Sequence, residues 1–299
     1  MPDFRSRLRK GAPILLNAAT GTELQRRGAD TRLPLWSARA LADAPDLVRA
    51  IHREEVAAGA EVVTANTFRT HRRTLAKGGL AERSRELTAL AVRLAREASG
   101  AAGRDVFVAG SVAPLEDCYR PDLVPEDSAL EREHDEQAES LAAAGVDLLL
   151  LETHNTVREL IAAARAARTT GLPFAASMVT DGNGRLLSGE AIEDAVRELE
   201  PLDPDVLSIN CVPAGKLGAD LGRLSAAAPG VPLAAYGNLG LPADDRGWAF
   251  TGELSPEAYA ELARGWLALG ARIVGGCCGT RPAHTAALRY AISMASPNE

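Results

Sequence analysis

The residues with the most chemistry in this chain are cysteines. Cys277 and Cys278 are adjacent, inside Gly275-Gly276-Cys277-Cys278-Gly279-Thr280, directly after the apolar run Ala271-Arg272-Ile273-Val274. Neighbouring cysteines cannot comfortably bridge one another, and within a strand their side chains point to opposite faces. A turn at the strand end could aim both at one atom, with the flanking glycines supplying the unusual backbone angles. The alternative is a pair of small buried hydrophobes, the commonest fate of unpaired cysteine. A third thiol, Cys211, follows Ile209-Asn210 at the end of another apolar run, whereas Cys118 lies midway along a loop.

Whether these thiols meet depends on the elements that carry them. Short, partly β-branched apolar runs recur at 13–16, 61–65, 106–110, 147–151, 173–177, 206–209, 232–236 and 272–274. Nearly continuous apolar character marks strands covered on both faces, as in a parallel sheet flanked by helices. Amphipathic helical patterns lie between them, at 45–58, 80–98, 128–144, 156–169, 192–199, 216–228, 255–270 and 282–294. The clearest begins with Ser255 as N-cap, Pro256 in the first turn and Glu257 at the positive dipole end, and stops at Gly270. Eight strands alternating with eight helices predict an α/β fold, a single-domain (β/α)8 TIM barrel spanning 1–299 with its core at about 13–291. A doubly wound open sheet is the second choice. The stretches 114–125 and 237–252 follow strands and are expected as long loops on the active face.

Composition narrows the ligands. The 299 residues carry a net charge of −7, which argues against a nucleic-acid partner. Arg5, Arg7, Arg9 and Lys10 mimic the start of a signal peptide, but the apolar segment after them is short and interrupted by Pro13 and Asn17. No run is long enough to span a membrane. A cytoplasmic location is expected, where thiols stay reduced and serve metal binding or catalysis.

In a barrel the C-terminal strand ends converge. They carry Asn17, Asn66, Ser111, Glu152, Met178, Asn210, Cys211, Tyr236, Asn238, Cys277 and Cys278. Three thiols without a fourth match a Zn²⁺ site with one open position, into which a substrate thiol would bind and lose its proton. Asn66, Ser111, Asn210 and Asn238 either bind substrate or cap the following helices. His154 is read as a residue at a helix start, and His52, His71, His134 and His284 as solvated. Cys118 is expected to be an ordinary loop thiol.

These residues resemble the homocysteine S-methyltransferases, the zinc-dependent thiol methyltransferase barrels. The resemblance covers residues 13–291 and rests on Thr20-Gly21-Thr22-Glu23-Leu24, Thr64-Ala65-Asn66-Thr67-Phe68, Ala109-Gly110-Ser111-Val112, Leu151-Glu152-Thr153, Ile209-Asn210-Cys211, Tyr236-Gly237-Asn238 and the Cys277-Cys278 motif. It implies Zn²⁺ on Cys211, Cys277 and Cys278, with a small-molecule thiol acceptor, homocysteine, and an onium methyl donor that yields methionine. By position, Glu152 would receive the acceptor's ammonium and the backbone amides of Thr20 and Gly21 its carboxylate. Asn17-Ala18 stands where the family usually has Asp-Gly. Asn17 removes a charge from the ammonium site, so the acceptor is expected to bind more weakly or to be another thiol or selenol.

Aromatic faces are expected around an onium methyl group, with Trp36, Phe68, Tyr119, Tyr236 and Trp248 as candidates. Thr153 stands where betaine-using relatives carry an aromatic residue, so S-methylmethionine or S-adenosylmethionine is favoured as donor. The competing readings are a zinc barrel that binds a thiol without methyl transfer, and a barrel lyase with structural cysteines.

Overall fold

In the computed structural model, which describes residues 3–243, 247–251 and 254–295, all eight expected strands form one parallel sheet. They are β1 (Ile14–Leu15), β2 (Val62–Ala65), β3 (Phe107–Val112), β4 (Leu148–His154), β5 (Phe174–Met178), β6 (Val206–Pro213), β7 (Leu233–Asn238) and, after a two-stranded hairpin of β8 (Leu241–Ala243) and β9 (Gly247–Ala249), β10 (Ala271–Val274). The order β1-β10-β7-β6-β5-β4-β3-β2 closes through a parallel bridge between Leu16 and Val62. The eight expected helices follow the strands as anticipated, among them Pro45–Ala57, Val157–Thr169, Pro256–Ala268 and Pro282–Ala295. The N-cap reading of Ser255 holds, since its side chain accepts from the Ala258 amide at 3.2 Å.

The pleat explains the continuous apolar runs. Leu148 and Leu150 point into the barrel with Ile14, Phe107, Ala175 and Ile273, while Leu149 and Leu151 point outward into the layer under the helices. The short helix Phe4–Arg9, which the sequence reading did not anticipate, joins the inner cluster: Phe4 meets Phe107 edge-on at 5.6 Å. Its basic residues anchor it. Arg5 pairs with Asp205 at 2.6 Å and Arg7 with Glu61 at 2.8 Å, so the stretch that mimics a signal peptide packs at one end of the barrel.

The four histidines expected in solvent are instead buried. His134 lies 3.3 Å from the Glu159 carboxylate. His71 caps the helix Arg72–Lys77, and His284 accepts from the Arg281 amide at 3.2 Å. His52 has no partner for either ring nitrogen, and burial lowers its pKa to about 4, so it is a neutral core residue. Each lies on a helix or loop face that the pattern alone does not orient. The stretch 114–125 contains a single 3-10 turn, Pro121–Leu123, and 237–252 contains the end of β7 and the hairpin; residues 244–246 and 252 lie outside the described residues. No helix among the described residues is long and apolar enough to cross a membrane.

One buried acid ties the first active-face loop to two helices. Glu55, fully buried on Pro45–Ala57, accepts from the Ala18 amide at 3.1 Å and from the Thr285 hydroxyl at 2.6 Å. Burial raises its carboxyl to about 7, outweighing both hydrogen bonds. The folded protein therefore holds a proton there that the unfolded chain releases near pH 4.5, and this contribution to stability is lost as pH rises from about 4.5 through about 7. The shift corresponds to roughly 3 kcal/mol at most. A Glu55→Gln variant keeps an oxygen to accept both bonds and should flatten this part of the thermal-stability profile between pH 5 and 8, melting above the parent at pH 8; parallel profiles would show that Glu55 does not carry it.

Candidate active site and metal centre

The three thiols converge as anticipated. Their sulfurs all lie within 4.8 Å of one another, with Cys211 Sγ 3.7 Å from Cys278 Sγ. The backbone departs from the pleat to bring them there. Between Asn210 and Pro213 β6 carries one residue more than β7, a bulge, and within it Cys211 adopts a left-handed conformation with φ of 54°. On the other side, Gly279 ends the cysteine turn at φ of 86°, and any Cβ there would collide with the Leu239 carbonyl. The turn is tied at both ends. The Cys277 amide donates to Gly237 O at 2.9 Å, the Leu239 amide to Cys278 O at 2.7 Å, and the Tyr259 hydroxyl lies 2.8 and 2.9 Å from the carbonyls of Gly237 and Gly275.

Such a cluster suits a soft divalent cation. Thiolates about 2.3 Å from a tetrahedral zinc stand about 3.8 Å apart, close to the Cys211–Cys278 separation. Among the described residues no histidine or carboxylate joins the group, so the chain offers three ligands and no fourth. Hydrogen bonds from Cys277 and Cys278 hold the Cys211 thiol well below its ordinary pKa, and donating those bonds raises the other two. The Tyr119 hydroxyl, 3.1 Å from Cys211 Sγ, adds to the first effect.

Glu152 sits on a second bulge. Between Leu151 and His154 β4 carries one residue more than β5, and Thr153 is left-handed at φ of 66°. The Glu152 carboxylate accepts from the Ser111 hydroxyl and from the Tyr236 hydroxyl at 3.4 Å. Burial raises its pKa to about 7 against those bonds. Asn210 links the two bulges: its Oδ1 accepts from the Thr153 amide at 2.9 Å and the Ser177 hydroxyl at 2.7 Å, and its Nδ2 donates to Thr153 Oγ1 at 2.8 Å.

Both motifs open on one cavity of about 310 Å³. Of the strand-end residues, all but Met178, Asn210 and Asn238 line it. Asn238 stands behind the metal centre, donating to the Cys211 carbonyl at 3.0 Å, so it and Asn210 support the cysteine rather than face the cavity. Neither caps a helix. Asn66 lines the cavity while donating to Ser37 O at 2.9 Å, and Thr20 and Gly21 line it from the first turn of the helix Thr20–Arg26. Asn17 faces it with its amide already engaged: Oδ1 accepts from the Thr64 amide at 2.8 Å and Nδ2 donates to Ala18 O at 2.6 Å, stitching the seam between β1 and β2. All five aromatic candidates, Trp36, Phe68, Tyr119, Tyr236 and Trp248, are on its wall. Trp36 has glycine on two sides, since a Cβ at Gly21 or Gly247 would run into its ring.

Two calls change. His154 ends β4 and is fully buried outside the cavity, with Nε2 3.3 Å from Val112 O. Cys118 is a buried cavity-lining residue whose thiol burial pushes up, not an ordinary loop thiol. Sequence reasoning missed Arg69, a buried cation on the wall; the only signal was an arginine in the turn directly after Thr67-Phe68.

Comparison with known proteins agrees with this geometry. A model of the family described as homocysteine S-methyltransferase matches residues 14–292. A homocysteine S-methyltransferase of Escherichia coli is 34% identical over 96% of this chain and 97% of its own length. A selenocysteine methyltransferase of Astragalus bisulcatus is 31% identical over 91% of this chain and 90% of its own. The metallated crystal form of the homocysteine methyltransferase MmuM from Escherichia coli superposes with a TM-score of 0.82 at 32% identity, covering 96% of this chain and 98% of that one. The chain therefore belongs to the homocysteine S-methyltransferase family of enzymes, folded as a (β/α)8 barrel.

Proposed function

We propose that this protein holds Zn²⁺ on Cys211, Cys277 and Cys278 and transfers a methyl group from S-methylmethionine or S-adenosylmethionine to homocysteine, giving methionine. The observation that carries it is the cluster of three sulfurs facing one cavity with no fourth side-chain ligand among the described residues. When bound, zinc would keep an acceptor thiol ionised near neutral pH and hence nucleophilic.

The chain's own residues supply the rest. Glu152, oriented by Ser111 and Tyr236, receives the acceptor's ammonium, and the amides of Thr20 and Gly21 face its carboxylate. An ammonium brought beside Glu152 favours its ionised form, reversing the effect of burial. The donor's positive charge meets aromatic faces. The chain has only three Trp, four Tyr and five Phe, and five of these twelve surround this one cavity. The apolar wall also limits water around the reacting centre, so methyl loss to solvent is suppressed.

Asn17 in place of an acid favours a second acceptor, another small thiol or a selenol, and the selenocysteine methyltransferase relative supports that reading.

The central test incubates zinc-loaded protein anaerobically with homocysteine and each donor, scoring methionine. Cys277→Ser should lose bound zinc, measured by elemental analysis, and at least about 10³-fold of turnover; methionine formed undiminished by the zinc-free variant would overturn the metal reading. Glu152→Gln should raise the homocysteine KM about 100-fold while sparing a thiol that lacks the ammonium, in line with the loss of one charged hydrogen bond. Asn17→Asp should lower the homocysteine KM about tenfold and leave the donor KM unchanged; an unchanged homocysteine KM would leave Asn17 as a stitch between strands.

A further inference from the structure

Arg69 is a buried cation that makes no ion pair among the described residues. Its side chain lines the cavity, yet the residue is only 8% exposed. Among the described residues, the Glu116 carbonyl at 2.8 Å from Nη1 is its one hydrogen-bond partner. Nε is buried with no partner, no carboxylate among the described residues comes within ion-pair distance, and the Glu116 carboxylate pairs with Arg73 instead. Asp117, which also lines the cavity, is turned to its own loop, where Oδ1 accepts from the Tyr119 amide at 2.9 Å. A guanidinium desolvated this way is incompletely satisfied, and an anion arriving in the cavity would complete it. The arginine is not loosely placed. It lies in the turn Thr67–Thr70, closed by the Thr70 amide to Thr67 O at 3.1 Å, and Thr67 Oγ1 both donates to Ser111 O and accepts from the Ser111 amide at 2.9 Å.

The surroundings identify which substrate brings the anion. The guanidinium stands 5.3 Å from the Phe68 ring centroid and bonds the loop that carries Tyr119, two of the aromatic residues suited to an onium. Glu152, to which the proposed reaction gives the acceptor's ammonium, is held by a different set of partners, Ser111 and Tyr236, and makes no ion pair with Arg69. A fixed positive charge beside an aromatic onium site repels a donor that is only a cation, and this repulsion is cancelled when the donor brings its own carboxylate.

We propose that Arg69 is the carboxylate-binding residue of the donor subsite, which selects methyl donors that join an onium centre to a carboxylate, such as amino-acid sulfonium compounds, over bare onium ions. This rests on the methyl-transfer reading above. The planar fork of the guanidinium suits two-point recognition of a carboxylate, which a lysine ammonium cannot reproduce.

The test compares S-methylmethionine, which carries the carboxylate, with trimethylsulfonium, which does not, in the zinc-loaded parent, Arg69→Met and Arg69→Lys, each checked for folding by circular dichroism. In Arg69→Met the S-methylmethionine KM should rise about 100-fold, with the homocysteine KM within twofold of the parent and trimethylsulfonium turnover equal or improved; Arg69→Lys should recover part of the loss. An equal loss with both donors would make Arg69 a structural residue, and a rise confined to the homocysteine KM would assign it to the acceptor; either overturns the proposal. If the parent forms no methionine with any donor, the methyl-transfer reading fails by itself. The subsite is then tested by calorimetric titration of S-methylmethionine into parent and Arg69→Met, where equal affinities, or no binding to the parent, overturn it.

Discussion

Three sulfurs can share one point only if the backbone abandons the pleat where it delivers them. A regular parallel strand would send Cys277 and Cys278 to opposite faces and set Cys211 by the parity of β6 alone. Here β6 gains a residue at Cys211 and β10 gives way to a turn closed by Gly279. A left-handed conformation at a non-glycine residue costs of the order of 1–3 kcal/mol, so Cys211 and Thr153 each need support. Asn210 ties the two together: it opens the β6 bulge beside Cys211, and its amide holds Thr153 in the β4 bulge while Ser177 on β5 between them fixes its Oδ1. Glu152 and Cys211 are thus positioned by one shared element, and Asn238 holds the Cys211 carbonyl from behind.

That support changes what the neighbouring polar residues mean. Asn210 and Asn238 look like substrate ligands when strand ends are read from sequence, since their types suit either role. In the fold neither lines the cavity: Asn210 is bonded to Thr153 and Ser177, and the Asn238 Nδ2 donates to the Cys211 carbonyl. Ser111 is different: it reaches the cavity, and its hydroxyl fixes the Glu152 carboxylate there. Four charged residues, Arg69, Asp117, Arg120 and Glu152, share the wall with five aromatic rings, and on the proposed reading Glu152 and Arg69 would tell two zwitterionic substrates apart by where each one's charges fall.

The barrel was legible because each strand is covered on both faces and each helix on one, which writes two different periods into the chain. Leu148, Leu149, Leu150 and Leu151 record the first: a continuous run whose members alternate between inner and outer cores. The thiols were legible because cysteine is rare and strand ends converge. Other features left no periodic trace. The helix Phe4–Arg9 is too short to show a pattern and is held by two ion pairs to distant residues. The buried histidines and Arg69 carry polar types that composition assigns to solvent, and their burial follows from which turn or helix face meets a neighbour. A bulge is likewise invisible in sequence, because one extra residue in a strand leaves composition unchanged.

Asn17 shows how one position can serve the fold and the site together. The barrel closes between β1 and β2, the least extensively paired junction, through a single strand bridge at Leu16. The Asn17 carbonyl extends that junction by accepting from Thr64, while its Nδ2 donates to Ala18 O. An aspartate could keep the first bond but not the second, because a carboxylate has no proton for the Ala18 carbonyl. Its free oxygen would instead face a carbonyl across a short contact, a repulsion that an incoming ammonium would relieve. Asparagine stitches the seam without a ligand; aspartate would complete it only with one. On the proposed reading, asparagine here would give up part of the attraction for an amino-acid acceptor while keeping both side-chain bonds, one to Thr64 on β2 and one to Ala18 in the first loop.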